Sequence, residues 1–186
     1  MTGKEFTRLL EQHILDPLGL ADTWNLADEP VAGSFVAGCY EQEGALHRIE
    51  GAHAATWASH LGAAGALVSS AADLAQFALR VLRDHEVIGE TLASQAFTIG
   101  PEGTGLGVLG VRRASEGRNV FPIFDEPREG EIVGFGGSGL LTGSSTKLAY
   151  LPGVDTVVVL LLNRSRPSGG GEFFRGLIEA SFSVDG

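Results

Sequence analysis

Apolar positions recur at two periods along the chain, and the period changes once. Over the first hundred residues the spacing is helical. Phe6, Leu9, Leu10, His13 and Ile14 share one face of a helix that opens on the capping-box pair Thr2 and Glu5. This helix is expected to end before Asp16-Pro17, because a residue ahead of proline is pushed out of the helical region. A second stripe, Leu74, Phe77, Ala78, Val81 and Leu82, follows another capping box at Ser70 and Asp73, with Gln76, Arg80, Arg83 and Asp84 on the outer face. A shorter helical piece is predicted over Glu90 to Phe97. From Asn25 to His60 neither period persists, so this segment is a loop-rich excursion with one short hairpin about Tyr40 to Arg48. Segments of that kind inside compact domains are often functional or lean on another surface.

After Gly100 the period is that of strands: Leu106 to Arg112, Asn119 to Phe124, Glu131 to Phe135, Thr146 to Leu151 and Asp155 to Asn163. Glycines and Pro122, Pro127 and Pro152-Gly153 separate them. The run Val157 to Leu162 is apolar at every position, which predicts a strand buried on both faces and helices on each side of its sheet. Complete burial of those six side chains stabilises by about 10 kcal/mol as an upper bound. A closing helix, Glu172 to Phe182, brings Phe173, Leu177, Ile178 and Phe182 to cover the sheet. The expected class is therefore α+β, an antiparallel sheet covered by helices. Residues 1–99 form its helix- and loop-rich part, and residues 100–186 its strands and C-terminal helix.

Composition narrows the function classes. A chain of 186 residues suits one domain, and its 44% hydrophobic content suffices for a core. With 13 basic against 23 acidic side chains, a net charge of -10, and Lys4 and Lys147 as the only lysines, there is no basic stripe for nucleic acid or an anionic membrane. The longest apolar run falls far short of the roughly 20 residues needed to cross a bilayer. The first residues, Met1 to Phe6, lack the apolar stretch of a signal peptide, which leaves localisation open. A single cysteine, Cys39, excludes an internal disulfide and reads as a small half-buried residue beside Tyr40. The 27 glycines crowd between Gly100 and Gly143 and at Gly169 to Gly171, as expected of tightly bent antiparallel strands or of backbone that approaches a ligand.

Several short patterns look like chemistry. Gly105-Leu106-Gly107-Val108-Leu109-Gly110 matches the dinucleotide fingerprint by letter, but a turn follows it where a helix should open. Ser144-Ser145-Thr146-Lys147 matches the Ser-x-x-Lys nucleophile and base pair, which works only when a helical turn brings the amine to the hydroxyl. Here strand residues follow, so this match is expected to be a decoy. His13, His47, His53, His60 and His85 show no metal-ligand spacing, and no metal or cofactor is expected. Asp125, Glu126, Glu129 and Glu131 around Pro127 read as a solvated hairpin tip.

Three phrases, in order, carry a resemblance. They are His13-Ile14-Leu15-Asp16-Pro17-Leu18-Gly19-Leu20-Ala21-Asp22-Thr23, then Ala64-Gly65-Ala66-Leu67-Val68-Ser69-Ser70-Ala71-Ala72-Asp73-Leu74-Ala75-Gln76-Phe77, and finally Gly134 through Asn163. Together they resemble the C-terminal half of the serine β-lactamase and D-alanyl-D-alanine carboxypeptidase superfamily, penicillin-binding-protein-like, in its class C and esterase branch. The resemblance implies a partial domain that lacks the N-terminal helix and strands of the fold. It also implies a hydrolase that opens an amide or ester through an acyl-enzyme, on a β-lactam, a D-Ala-D-Ala peptide or a small ester.

In that family Ser-x-x-Lys and Tyr-x-Asn precede the Pro-Leu-Gly-Leu phrase, so both are expected to be absent here and the chain alone to be inactive, with no catalytic side chain of its own. The third motif, Lys-Thr-Gly or His-x-Gly on a strand, falls at Phe135-Gly136-Gly137, where phenylalanine replaces a polar or cationic group. The resemblance makes Phe135, Gly136, Gly137 and Ser138 the substrate-binding residues and gives the Ser138 backbone amide the part of an oxyanion donor. Gly134, Gly136 and Gly137 would let backbone come close to a ligand. The alternative is a degenerate, non-catalytic binding module of the same superfamily. Without a neighbouring strand Val157 to Leu162 would be an open apolar edge, inviting a complementing N-terminal chain or self-association.

Overall fold

The computed structural model describes residues 3–26, 36–49, 60–113, 119–120, 131–165 and 169–183. Thr2 of the first capping box, His53, the strand residues after Val120 and the acidic residues Asp125, Glu126 and Glu129 lie outside the described residues. The chain forms two compact units: Met1–Gln76 with Gly139–Ser145 and Leu161–Pro167, and Phe77–Ser138 with Thr146–Leu160 and Ser168–Gly186.

The first unit begins with α1 (Gly3–Leu10), a π-turn (Glu11–Leu15) and α2 (Asp16–Leu18). The helical path runs through Asp16-Pro17, contrary to the proline expectation, and stops at Gly19 with φ +66°. Asp16 keeps helical angles of -63° and -51°. The physical reason is the π-turn, which widens the helix just before the proline and relieves the clash between its ring and the carbonyl one turn back. Leu20 N–H then closes onto Leu15 O at 2.9 Å. Leu10, Leu15, Leu18 and Leu20 are buried.

Short antiparallel pairs complete this unit. β1 (Trp24–Asn25) pairs with β4 (Leu67–Val68), and β2 (Cys39–Gln42) pairs with β3 (Ala45–Arg48). The hairpin turns at Glu43-Gly44, where both residues have positive φ (53° and 78°), as a two-residue turn between right-twisted strands requires. The sequence-predicted hairpin is therefore present. Cys39 is held through its backbone: its N–H donates to Gly143 O (3.1 Å) and Asn163 O (2.8 Å), and its carbonyl accepts from Ser165 N–H (3.3 Å).

Helix α3 (Ala71–Phe77) starts as predicted, with Asp73 N–H donating to Ser70 Oγ at 3.1 Å. The buried Asp73 carboxylate accepts from Asp22 N–H (2.8 Å) and from Thr23 Oγ1 (2.7 Å), tying the loop after α2 to the start of α3. Such paired acceptors satisfy a charge that would otherwise be costly to bury.

The second unit holds the π-turn Ala78–Arg83 that continues α3, helix α4 (Gly89–Ala96), most of a five-stranded sheet and helix α5 (Gly170–Ser183). The strands are β5 (Leu109–Arg113), β6 (Asn119–Val120), β7 (Glu131–Leu141), β8 (Ser144–Leu151) and β9 (Thr156–Leu162), in the order β6-β5-β7-β8-β9. β5 runs antiparallel to both β6 and β7. The short links after β7 and β8 make the remaining neighbours hairpins, hence antiparallel.

Side chains of β8 alternate between two cores. Ala149 and Leu151 join Val111, Val158, Phe174 and Ile178 against α5. Tyr150 joins Ala78 and Leu82, with Phe97, Val108, Leu148 and Val157 packed around them. Helices therefore flank the sheet as the apolar run in β9 predicted, but burial of that run is only partial. Val158 alone among its six residues is buried, and Leu161 is 37% exposed. β9 ends the strand order, so it lacks a neighbour on one side among the described residues, and the full burial term is not reached.

Burial pushes the Tyr150 phenol above its ordinary value, helped by the Asp155 carboxylate, to which its O–H donates at 3.3 Å. A raised folded-state value favours the neutral phenol, so this contribution is complete below pH ~10 and is lost as pH climbs toward the folded-state value. Tyr150→Phe should therefore flatten the alkaline fall of the melting temperature between pH 9 and 11. Parallel curves for the two proteins would show that Tyr150 titrates without coupling to folding.

Candidate functional site

The segment singled out by sequence lies in β7, and its register explains its geometry. Leu109 pairs with Gly136, Gly110 with Phe135 and Val111 with Gly134, but the next residue, Arg112, pairs with Ile132. Val133 is thus an extra residue, a β-bulge one step before Gly134-Phe135. A bulge breaks the strict alternation of a strand. Val133 packs against the α5-side core, whereas Phe135 stacks on Phe97, with ring centroids 5.4 Å apart and planes 28° from parallel. Phe97 itself packs on the Ala78, Leu82 and Tyr150 cluster.

Phe97 is held from behind by His85, whose ring centroid lies 5.5 Å away. His85 has φ +55°, rare for a non-glycine residue, and its Nδ1 sits 2.9 Å from Glu90 Oε2, close enough for an ion pair though off the axis of a hydrogen bond. The loop carrying it is pinned by Glu86 N–H donating to Arg80 O (2.8 Å) and by Arg80 Nε donating to Glu86 Oε1 (2.8 Å). That side-chain bond holds the Glu86 carboxyl below the usual carboxylate range, and Arg83 does the same for Asp84.

The glycines of β7 divide by environment. A Cβ on Gly134 would run into Tyr150 O and lie 2.9 Å from Leu151 Cδ2, and one on Gly136 would run into Leu148 O, whereas a Cβ on Gly137 would meet nothing within 4 Å. Close packing against β8 already requires the first two. Ser138 follows on the same strand, half-buried.

The decoys resolve on geometry. Ser144 and Lys147 both lie in β8, where a spacing of three puts side chains on opposite faces of the strand. Lys147 Nζ stands 5.8 Å from the centre of the Phe174 ring, on the α5 side. Gly105 N–H bonds to Val108 O at 2.9 Å in a turn with Gly107 at φ +78°, and strand β5 then begins, so the glycine fingerprint opens no helix. His13, His47 and His60 are exposed, His47 stacking on Tyr40 at 5.3 Å. Among the described residues no group of three or more His, Cys, Asp or Glu side chains is gathered to hold a metal ion, and no helix is long and apolar enough to cross a membrane.

Sequence reasoning singled out Phe135 but neither Phe97, His85 nor the bulge that orients it. Phe97 follows the last turn of α4, and nothing in the helical period marks it as the partner of a strand residue some forty positions on.

The profile of the Beta-lactamase family matches residues 1–178. The fold is similar to that of the D-stereospecific amidohydrolase from Streptomyces sp. (TM-score 0.66, 21% identity, 97% of this chain and 49% of that one). It is similar also to the D-amino acid amidase from Ochrobactrum anthropi SV3 complexed with L-phenylalanine amide (TM-score 0.66, 19% identity, 98% and 51%). The penicillin binding protein from Bacillus halodurans matches as well (TM-score 0.64, 18% identity, 94% and 48%). The chain therefore spans about half the length of these solved structures. No curated protein matches it. With the family profile matched over almost the whole sequence, onto a sheet flanked by helices, the chain belongs to the Beta-lactamase family.

Proposed function

We propose that this chain is the C-terminal part of a serine hydrolase acting on an amide or ester, in which β7 from Phe135 to Ser138 lines the substrate site. The observation that carries the reading is the family match over residues 1–178, on a fold shared with an amidohydrolase and an amidase. In the proposed reaction a serine oxygen adds to the substrate carbonyl, the tetrahedral oxyanion expels the amine or alcohol, and water then cleaves the acyl-enzyme. The Ser138 N–H would stabilise that oxyanion, a role that survives side-chain change because it is a backbone donor. In this reading nucleophile, base and tyrosine come from residues outside the 186, and the placement of Ser144 and Lys147 on opposite faces of β8 supports it by removing that pair as candidates.

A fluorophosphonate probe tests this reading. The purified 186-residue chain should remain unlabelled, and labelling that disappears in Ser144→Ala would overturn the placement of the nucleophile. The second reading, a non-catalytic binding module, is favoured by Phe135, an aromatic ring where the family resemblance places a proton-handling group. An intact gene product that binds ligand yet never labels would select it.

A further inference from the structure

Resting on the proposed hydrolase site, we infer that the substrate group held beside β7 is uncharged and apolar, that of a neutral amide or ester, and that Phe97 is the positioning residue that fixes Phe135 for this task. Three observations carry it.

The first is the aim of the ring. The bulge at Val133 places Phe135 on the Phe97 side of the sheet, where it remains half-buried with part of its surface still accessible. A ligand beside this strand meets aromatic carbon.

The second is preorganisation. Phe135 leans on Phe97, Phe97 on the Ala78, Leu82 and Tyr150 cluster and on His85, and His85 on Glu90. A ring fixed by such backing loses little rotamer freedom on binding, so more of the contact appears as affinity.

The third is charge. A carboxylate needs a cation or several donors when it leaves water. Among the cations of this unit whose side chains are described, Arg80 is paired with Glu86, Arg83 with Asp84, Arg112 Nη2 donates to Gly100 O at 3.4 Å, Lys147 stands over the Phe174 ring on the α5 side, and Arg175 lies on α5 itself. The whole chain carries a net charge of -10, which repels anions at long range. An amide or ester suffers neither penalty.

The test needs no nucleophile. N-acetyl-phenylalanine amide and N-acetyl-phenylalanine share the same ring and backbone and differ at neutral pH in a neutral carboxamide against a charged carboxylate, and both are titrated into the 186-residue chain with amide chemical shifts as the readout. The neutral probe should bind at least about tenfold tighter than the acid, the scale of one uncompensated polar burial. Phe135→His should reduce that ratio severalfold by supplying a cationic or donating ring. Phe97→Leu should weaken the amide severalfold, and Phe97→Tyr, which keeps the stacking ring, should restore it. A thermal unfolding curve for each variant separates these effects from loss of fold. Equal or tighter binding of the acid, a ratio unchanged in Phe135→His, or binding of neither probe would each overturn the inference. Because the fluorophosphonate result depends on the nucleophile and this ratio does not, the hydrolase reading and the substrate-class inference fail separately.

Discussion

Leu151→Ala is expected to lower the stability of the chain by about 2–5 kcal/mol, in the upper part of that range, the usual span for a buried leucine truncated in a core. Leu151 is fully buried at the end of β8, in the cluster formed by Val111, Ala149, Val158, Phe174 and Ile178. Two of those neighbours, Val111 and Ala149, are small and fixed in strands, so they cannot move in to fill the space. Residual cavity volume adds to the lost transfer free energy, and a site that collapses poorly costs more. Phe173→Ala makes the control: Phe173 lies on α5 yet is 59% exposed, and its truncation should stay within about 0.5 kcal/mol. The two variants are compared by urea denaturation, reading the midpoint at unchanged slope. A Leu151→Ala midpoint as close to wild type as that of Phe173→Ala would mean that the core between sheet and α5 does not carry the stability assigned to it.

Much of that core was legible in sequence because its signal is local, but Phe173, expected to cover the sheet, is 59% exposed and its neighbour Phe174 is the ring buried there. Leu177 and Ile178 fall on one helical stripe, the β8 residues Leu148 to Leu151 on a strand, and each element formed where its period placed it. The hairpin at Glu43-Gly44 and the cap at Ser70 were legible for the same reason, since a turn or cap is decided within four residues. What failed depended on geometry at longer range. The helix through Pro17 needed the π-turn before it, and no residue type announces such a turn. β9 reads as doubly buried because sequence reports hydrophobicity and not position in a sheet, and it stands last in the strand order. In the candidate site Phe135 was legible through family resemblance, but its orientation was not. A single extra residue, Val133, reverses the face that follows it, and only the pairing of Arg112 with Ile132 reveals that shift.

Gly136→Ala should cost about 1–3 kcal/mol or somewhat more, as forced overpacking does, whereas Gly137→Ala one residue along should be neutral or slightly stabilising. A Cβ at Gly136 would run into Leu148 O, a backbone atom of the paired strand β8, which cannot swing aside as a side-chain tip would. The strands must separate there, and the hydrogen bonds on either side lengthen with them. At Gly137 the added methyl meets nothing within 4 Å, and alanine only restricts the unfolded chain. Denaturant midpoints measure the difference, and amide hydrogen exchange across β7 and β8 locates it. Equal midpoints for the two variants would show that the close approach at Leu148 relaxes at little cost. The same pair separates packing from function. Sheet packing suffices to explain glycine at positions 134 and 136, but it gives no reason for glycine at 137. If Gly137→Ala keeps its midpoint while losing affinity for N-acetyl-phenylalanine amide, the space at Gly137 is there for a ligand. If it keeps both, the binding surface on this strand ends at the Phe135 ring.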